Sequence, residues 1–204
     1  MAVLGGVGEV SGRQVRCGRL RTNHEHNNAL TPRYDIGSLG MTFGGQSHGF
    51  LDSTGNPLLK KPDEIRPGVN ALIFDEQGRV LLERRSDNGW WGLPGGAMDR
   101  GESASEAVVR EVLEETGLTV TIKRLVGIYS DPALQVITEY PDGNVVQWVT
   151  MAFECERSHG ELRLSDESTD MNYFAADDLP PKTLPPHRTM VDDALANSDG
   201  PFIR

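Results

Sequence analysis

The apolar positions of this chain follow two regimes. From about residue 67 onward they gather into runs with a clear period, whereas before it they are scattered singly, as in VSGRQVRCGRLRTNHEHNNALTPRYD. Val69–Phe74 and Val80–Arg85 are runs of strand length. The stretch between them, Asp75-Glu76-Gln77-Gly78, has the residues of a tight turn. A loop with Asn88-Gly89 and Leu93-Pro94-Gly95-Gly96 follows. The spacing then predicts a helix from Ala104 to Thr116, opened by Ser103 and Glu106 as a capping box and closed at Gly117. Further strands are predicted near Val120–Tyr129 and Val145–Cys155, with a weaker one near Gln135–Tyr140 and a turn at Pro141-Asp142-Gly143-Asn144. After a proline cluster (Pro180, Pro181, Pro185, Pro186), a short amphipathic helix sets Met190, Val191, Ala194 and Leu195 on one face. Strands interrupted by one central and one terminal helix predict a compact mixed-sheet domain with helices on its faces.

Composition divides the chain at the same place. Residues 1–66 hold eleven of the 23 glycines and eight basic against six acidic residues. Such a stretch buries too little apolar surface to offset the entropy of ordering it, so residues 1–66 are expected to form a largely irregular arm and residues 67–204 the domain. Met41 stands where an alternative start would leave the domain whole. The net charge is −10 overall, and residues 67–204 alone carry twelve basic against twenty-four acidic residues. That balance argues against a nucleic-acid polymer as partner, which calls for a basic face. It leaves room for a phosphorylated small molecule whose charge a cation neutralises. No apolar run approaches the roughly 18 residues of a membrane span, and the first residues lack the pattern of a secretory signal. A cytoplasmic protein without a membrane partner is therefore expected.

The most informative segment is Arg110-Glu111-Val112-Leu113-Glu114-Glu115. On a helix, Glu111, Glu114 and Glu115 fall within roughly 100° of arc. Like charges at these spacings each cost a few tenths of a kcal/mol, or about 0.2–0.5. They also stand in the last turns, where the helix dipole disfavours anions. A solvated acidic face is the ordinary explanation of such a run. Against it, Glu111 and Glu115 flank the apolar stripe of Ala104, Ala107, Val108 and Val112, where an unpaired charge is costly unless it meets a cation. A hard cation such as Mg²⁺ takes oxygen ligands and is commonly shared with substrate phosphates.

Gly96, five residues, Glu102, seven residues, then Arg110-Glu111-Val112-Leu113-Glu114-Glu115-Thr116-Gly117-Leu118 resembles the complete box of the Nudix hydrolase family. Trp91-Gly92-Leu93-Pro94 before the box and Tyr173-Phe174 to Asp177-Asp178-Leu179-Pro180 after it extend the resemblance over about residues 67–195. It implies an α/β fold, an α/β/α sandwich with a mixed central β-sheet. It implies hydrolysis, with Mg²⁺ or Mn²⁺, of a diphosphate bond in a nucleoside diphosphate linked to another moiety. By the same resemblance Glu111, Glu114 and Glu115 are metal ligands, with the Gly95 carbonyl as a fourth. Glu102 and Arg110 form a structural ion pair. Glu167 is the first choice for a further catalytic carboxylate from a late loop, with Asp166 second, and Glu114 or Glu111 is the general base.

Arg84 and Arg85 end a strand, so only one of them is expected to face a phosphate. Trp90, Trp91 and Tyr129 are candidates for stacking on a base, against the commoner role of aromatic residues as packing. His24 and His26 lack a third ligand, and Cys155 reads as a small core residue. Pro132 resembles the proline that often follows the box in ADP-ribose pyrophosphatases, which leans the expected substrate toward ADP-ribose or a related nucleoside diphosphate sugar. Ordinary or modified nucleoside triphosphates are the alternative, as is a catalytically silent nucleotide-binding module. A related prenyl-diphosphate isomerase would need a cysteine–glutamate arrangement not found here. Pairing of two subunits is frequent in the family, and a homodimer is an expectation on that ground alone.

Overall fold

A computed structural model describes residues 49–196 and 198–204, and the arm positions His24, His26 and Met41 lie outside that range. The layering is set by the first strand, β1 (Glu64–Ile73). Successive side chains of a strand point to opposite faces. Accordingly, Val69, Ala71 and Ile73 enter one apolar cluster, while Leu72 enters another. The first cluster includes Ala107, Val108 and Val112 of helix α1 (Ala104–Thr116). The second includes Met190, Val191 and Ala194 of helix α2 (Pro185–Leu195). A helix thus covers each face, which is why β1 reads as a continuous apolar run rather than an alternating one.

The remaining strands are β2 (Val80–Arg85), β3 (Trp91–Gly92), β4 (Leu118–Tyr129), β5 (Ile137–Glu139), β6 (Val145–Gly160), β7 (Ser168–Phe174) and β8 (Phe202–Ile203). β1 pairs in parallel with β6, from Glu64 opposite Val146 to Ile73 opposite Cys155. β6 pairs antiparallel with β4 and β5, and β4 pairs in parallel with β8, giving a mixed five-stranded sheet. A second, antiparallel sheet has the order β3-β2-β7. Strand β7, with the sequence STDMNYF, has mostly exposed or half-buried positions and little of the apolar alternation that marks a strand. The two-residue β3 and β8 are too short to show a period. Among the described residues, no helix is long and apolar enough to cross a membrane.

Two expectations are adjusted, and Tyr129 takes the commoner of the two roles open to it. Residues 49–63 belong by sequence to the irregular arm, yet Leu58 is buried with Ile137 and Val145. Backbone bonds from Ser53 N–H to Ile137 O and from Asp63 N–H to Val145 O fasten this stretch to β5 and β6. Leu195 is 54% exposed, because Met190, Val191 and Ala194 take the buried positions of α2 and Leu195 lies one step of about 100° past Ala194. Tyr129 is fully buried and donates from its hydroxyl to Asp193 Oδ2 at 3.0 Å, which makes it core rather than a stacking surface. Cys155 is buried as expected, and burial pushes its thiol up to about 12.

Asp193 is itself nearly sealed and accepts two bonds from Arg204, from Nε to Oδ2 at 2.7 Å and from Nη2 to Oδ1 at 2.6 Å. Strand β8 thereby clips α2 to β4. Replacing Arg204 with Ala leaves a buried carboxylate with Tyr129 as its remaining partner. The expected loss is toward the low end of roughly 3–5 kcal/mol, since the guanidinium is partly solvated. Urea unfolding measures it, and a loss below about 0.5 kcal/mol would contradict the clip.

Candidate active site

Helix α1 is stopped and started by local chemistry that fixes its register. Ser103 Oγ accepts from Glu106 N–H at 3.2 Å, and the Glu106 carboxylate accepts from Ser103 N–H at 2.9 Å. At the other end Gly117 takes φ 73°, a conformation glycine adopts without strain, and its N–H closes on Leu113 O. Thr116 Oγ1 donates to Val112 O and accepts from Leu118 N–H, which turns the chain directly into β4. With the register fixed, Glu115 faces the interior beside Val112, Glu111 sits at the edge and Glu114 faces solvent.

The loop preceding α1 is stitched to β1. Pro94 O accepts from Ala71 N–H at 2.8 Å, and Gly96 O accepts from Val69 N–H at 2.9 Å. Gly95 between them has φ 147°, and a Cβ there would stand 2.1 Å from Val69 O. No side chain fits. The Gly95 N–H is thereby aimed at α1 and donates to Glu115 Oε2 at 2.7 Å. At Gly96 a Cβ would meet the Glu111 carboxylate, with Oε1 at 2.8 Å. The glycine pair lets the backbone approach two carboxylates of the helix.

Arg110 holds the rim. Its Nε and Nη2 bind both oxygens of Glu102, at 2.8 and 3.0 Å, and Nη2 also reaches Ala97 O. Its Nη1 donates to Glu111 Oε1 at 2.9 Å and to Glu114 Oε2 at 3.1 Å. These bonds, led by the one to Glu102, raise the guanidinium's proton affinity further.

One participant escapes the sequence reading. Glu83, on β2, is 3% exposed and accepts from Ser168 Oγ at 2.5 Å. Its signal was parity: it stands two residues after Leu81, on the strand face that packs toward α1. Burial drives the Glu115 carboxyl well above the ordinary carboxylate range, and the charge of Glu83 pushes it the same way. Burial likewise raises Glu83 and Glu111. Glu167 lies close enough to add to all three shifts. Its neighbour Asp166 contributes a backbone carbonyl, which accepts from Ser86 Oγ. Among the described residues, no three acidic, imidazole or thiol groups converge into a closed ligand shell, and Arg110 draws two of the acids to itself.

A cavity of about 340 Å³ adjoins the Gly95–Gly96 turn. Arg85 lines it, held by Asp87 through Nε at 3.1 Å and Nη2 at 2.8 Å. Arg84, on the other face, is exposed and donates to Gly89 O. Trp91 packs edge-on against Phe174, with centroids 4.9 Å apart, and is not part of the cavity lining. The aromatic walls are instead Tyr140 and Trp148. His187 also lines the cavity, and its Nδ1 accepts from Leu93 N–H at 2.8 Å. Burial, with Arg85 nearby, pulls its pKa to about 3, so the ring is neutral with its proton on Nε2.

The model of the NUDIX domain matches residues 64–194. An ADP-ribose pyrophosphatase of Methanocaldococcus jannaschii is 34% identical over 131 residues, which are 63% of this chain and 72% of that protein. A putative 8-oxo-dGTP diphosphatase of Bacillus subtilis is 44% identical over 68 residues, 33% of this chain and 46% of its own length. The crystal structure of an ADP-ribose pyrophosphatase from Streptococcus suis aligns with a TM-score of 0.53 at 29% identity, covering 68% of this chain and 97% of that one.

The two glycines predict opposite outcomes. Gly95→Ala drives a Cβ into the backbone of β1 and lowers the unfolding midpoint sharply, by an amount exceeding about 3 kcal/mol, or prevents folding. Gly96→Ala needs the flexible end of Glu111 to move and leaves stability within about 1 kcal/mol. Chemical denaturation of the pair checks this, and equal losses would refute the close packing at Gly95.

Proposed function

Because the chain belongs to the NUDIX family of hydrolases, we propose that it hydrolyses a diphosphate bond in a nucleoside diphosphate sugar, with ADP-ribose as the leading substrate, using Mg²⁺ or Mn²⁺. The observation that carries this reading is the set of carboxylates around the Gly95–Gly96 turn. Glu115 and Glu83 are sealed in the fold without an ion pair among the described residues, and the nearby Arg85 guanidinium is paired with Asp87, a costly arrangement unless something positive completes it. The donors are all oxygen, which suits a hard divalent cation. Glu111, Glu114 and Glu115 would hold it, with the Gly95 carbonyl as a further ligand, once Glu111 and Glu114 release Arg110 Nη1. When bound, such a cation neutralises the diphosphate and acidifies a water.

The protein's own groups divide the remaining work. Arg85 is the lining cation of the cavity and binds a phosphate oxygen there. Arg84 faces away, in line with one arginine of the pair serving that role. Glu102 and Arg110 keep the loop against the helix. Of the three base candidates, Glu111 and Glu114 are engaged by a guanidinium. The Glu167 carboxylate has no hydrogen-bond donor among the described residues and is exposed beside the cluster. It is therefore the group best able to accept a proton from an attacking water.

A panel of ADP-ribose, other nucleoside diphosphate sugars, nucleoside triphosphates and 8-oxo-dGTP, with Mg²⁺ and with Mn²⁺, tests the reading by products. AMP and ribose 5-phosphate from ADP-ribose are expected. Release of pyrophosphate from a triphosphate as the fastest reaction would move the assignment to that class, and no hydrolysis at all would leave a binding module. Glu115→Gln is expected to lower turnover by about 10²-fold or more, and near-normal turnover with excess Mg²⁺ would remove its ligand role.

A further inference from the structure

Gln135 occupies a position that folding alone does not favour. It is the one non-glycine residue with positive φ among the described residues, at φ 61°, a conformation that costs an L-residue roughly 1–2 kcal/mol. Its Oε1 is also the one buried side-chain nitrogen or oxygen, among the described residues, without a hydrogen-bond partner. Both costs fall on a residue that lines the cavity. Gln135 takes this conformation as the residue that closes the short helical turn Pro132–Leu134. Asp131 Oδ1 accepts from Ala133 N–H, and Gln135 N–H closes on Pro132 O.

The segment beside Gln135 also fixes an aromatic wall. Trp148 N–H donates to Val136 O at 2.8 Å, and its indole Nε1 donates to Thr138 Oγ1 at 3.3 Å. The indole lies against Gly68, where a Cβ would come within 3.0 Å of Cε3 and 3.2 Å of Gly96 O. The ring therefore borders the glycine turn that faces the candidate catalytic carboxylates of α1. Trp148, Gln135 and the Gly95–Gly96 turn line the same cavity, so a planar group stacked on Trp148 would have both the turn and Gln135 within its surroundings.

We infer that Gln135 reads the nucleobase of the substrate, pairing its amide with the adjacent donor and acceptor of an adenine edge while the ring stacks on Trp148. A glutamine amide matches the amino group and ring nitrogen of adenine in a bidentate pair. Rotation about its last torsion, which is soft, presents either amide atom to the cavity. Asp87 and Glu139 join Gln135 in the lining, with Arg85 as the cation, so the walls are rich in acceptors. An edge that offers an amino group is favoured there over the two carbonyls of uracil. The inference rests on the nucleotide reading above and names its base.

AMP and purine riboside 5′-monophosphate, which differ by the 6-amino group and lack an anhydride to cleave, separate the possibilities in calorimetric titrations. The wild-type protein is expected to bind AMP about 10–100-fold more tightly. Gln135→Leu should bring the two within about twofold by weakening AMP alone. Gln135→Gly, which relieves the backbone, should lose the same preference while melting about 2–4 °C higher. Equal binding of both ligands by the wild type, failure of both to bind, or a preference that survives in both variants would overturn the inference. A preference that follows Gln135 in a protein that hydrolyses no nucleotide would uphold it and refute the hydrolytic reading.

Discussion

A carboxylate buried without an ion pair among the described residues is the constraint on which this structure turns. Among the described residues Glu115 has one hydrogen-bond donor, the N–H of Gly95, and Glu83 as an unfavourable neighbour. A fold selected for stability alone would carry a neutral residue there. To hold Glu115 in place, the helix must end in a fixed register, the loop must be tied to β1, and position 95 must be glycine. Each of these is met by a specific local device: the Ser103–Glu106 box, the Pro94 and Gly96 carbonyls on β1, and the φ of 147°. The stability given up at the carboxylates is offset elsewhere, in the two apolar clusters and in the β8 clip on Asp193.

The same geometry joins the chemistry to the cavity. Gly96 faces Glu111 and lies close to the wall formed by Trp148 over Gly68. A single glycine turn thus separates the acidic cluster from the space where a nucleotide would sit. Arg85 and Glu83, two residues apart on β2, serve the two sides: one lines the cavity, the other lies buried among the acids. Arg110 spans the rim, joining Glu102 and Ala97 O of the loop to Glu111 and Glu114 of the helix.

Much of this was legible in the sequence, for a physical reason. Helical period and capping residues are local properties, and the spacing from Gly96 to Leu118 encodes the loop, the helix and its end within 23 residues. The inward edge of the acid stripe followed from that spacing, and the Glu102–Arg110 pair from the family resemblance that the spacing carries. Long-range placement did not. Glu83 looked like an ordinary polar residue after Leu82, and its burial depends on which sheet face meets α1. Trp91 and Tyr129 carried the right chemistry for stacking, but packing with Phe174 and Asp193 claimed them. Trp148 and Tyr140 took the cavity walls because the β5–β6 hairpin brings them there. Gln135 left no signal in composition or period, since its importance lies in a strained φ and a missing partner.

The central claim is that the buried acids are half of a site completed by a divalent cation, and thermal unfolding of the metal-free protein tests it most directly. Ligand at about 100 times its dissociation constant adds about 2.7 kcal/mol of stability, or roughly 5–10 °C in a domain of this size. Wild-type protein moved from EDTA into saturating Mg²⁺ or Mn²⁺, without nucleotide, should show such a rise. Glu115→Gln should melt higher than the wild type in EDTA and gain little from either ion. A wild-type midpoint indifferent to both ions, or a variant that gains as much as the wild type, would contradict the account.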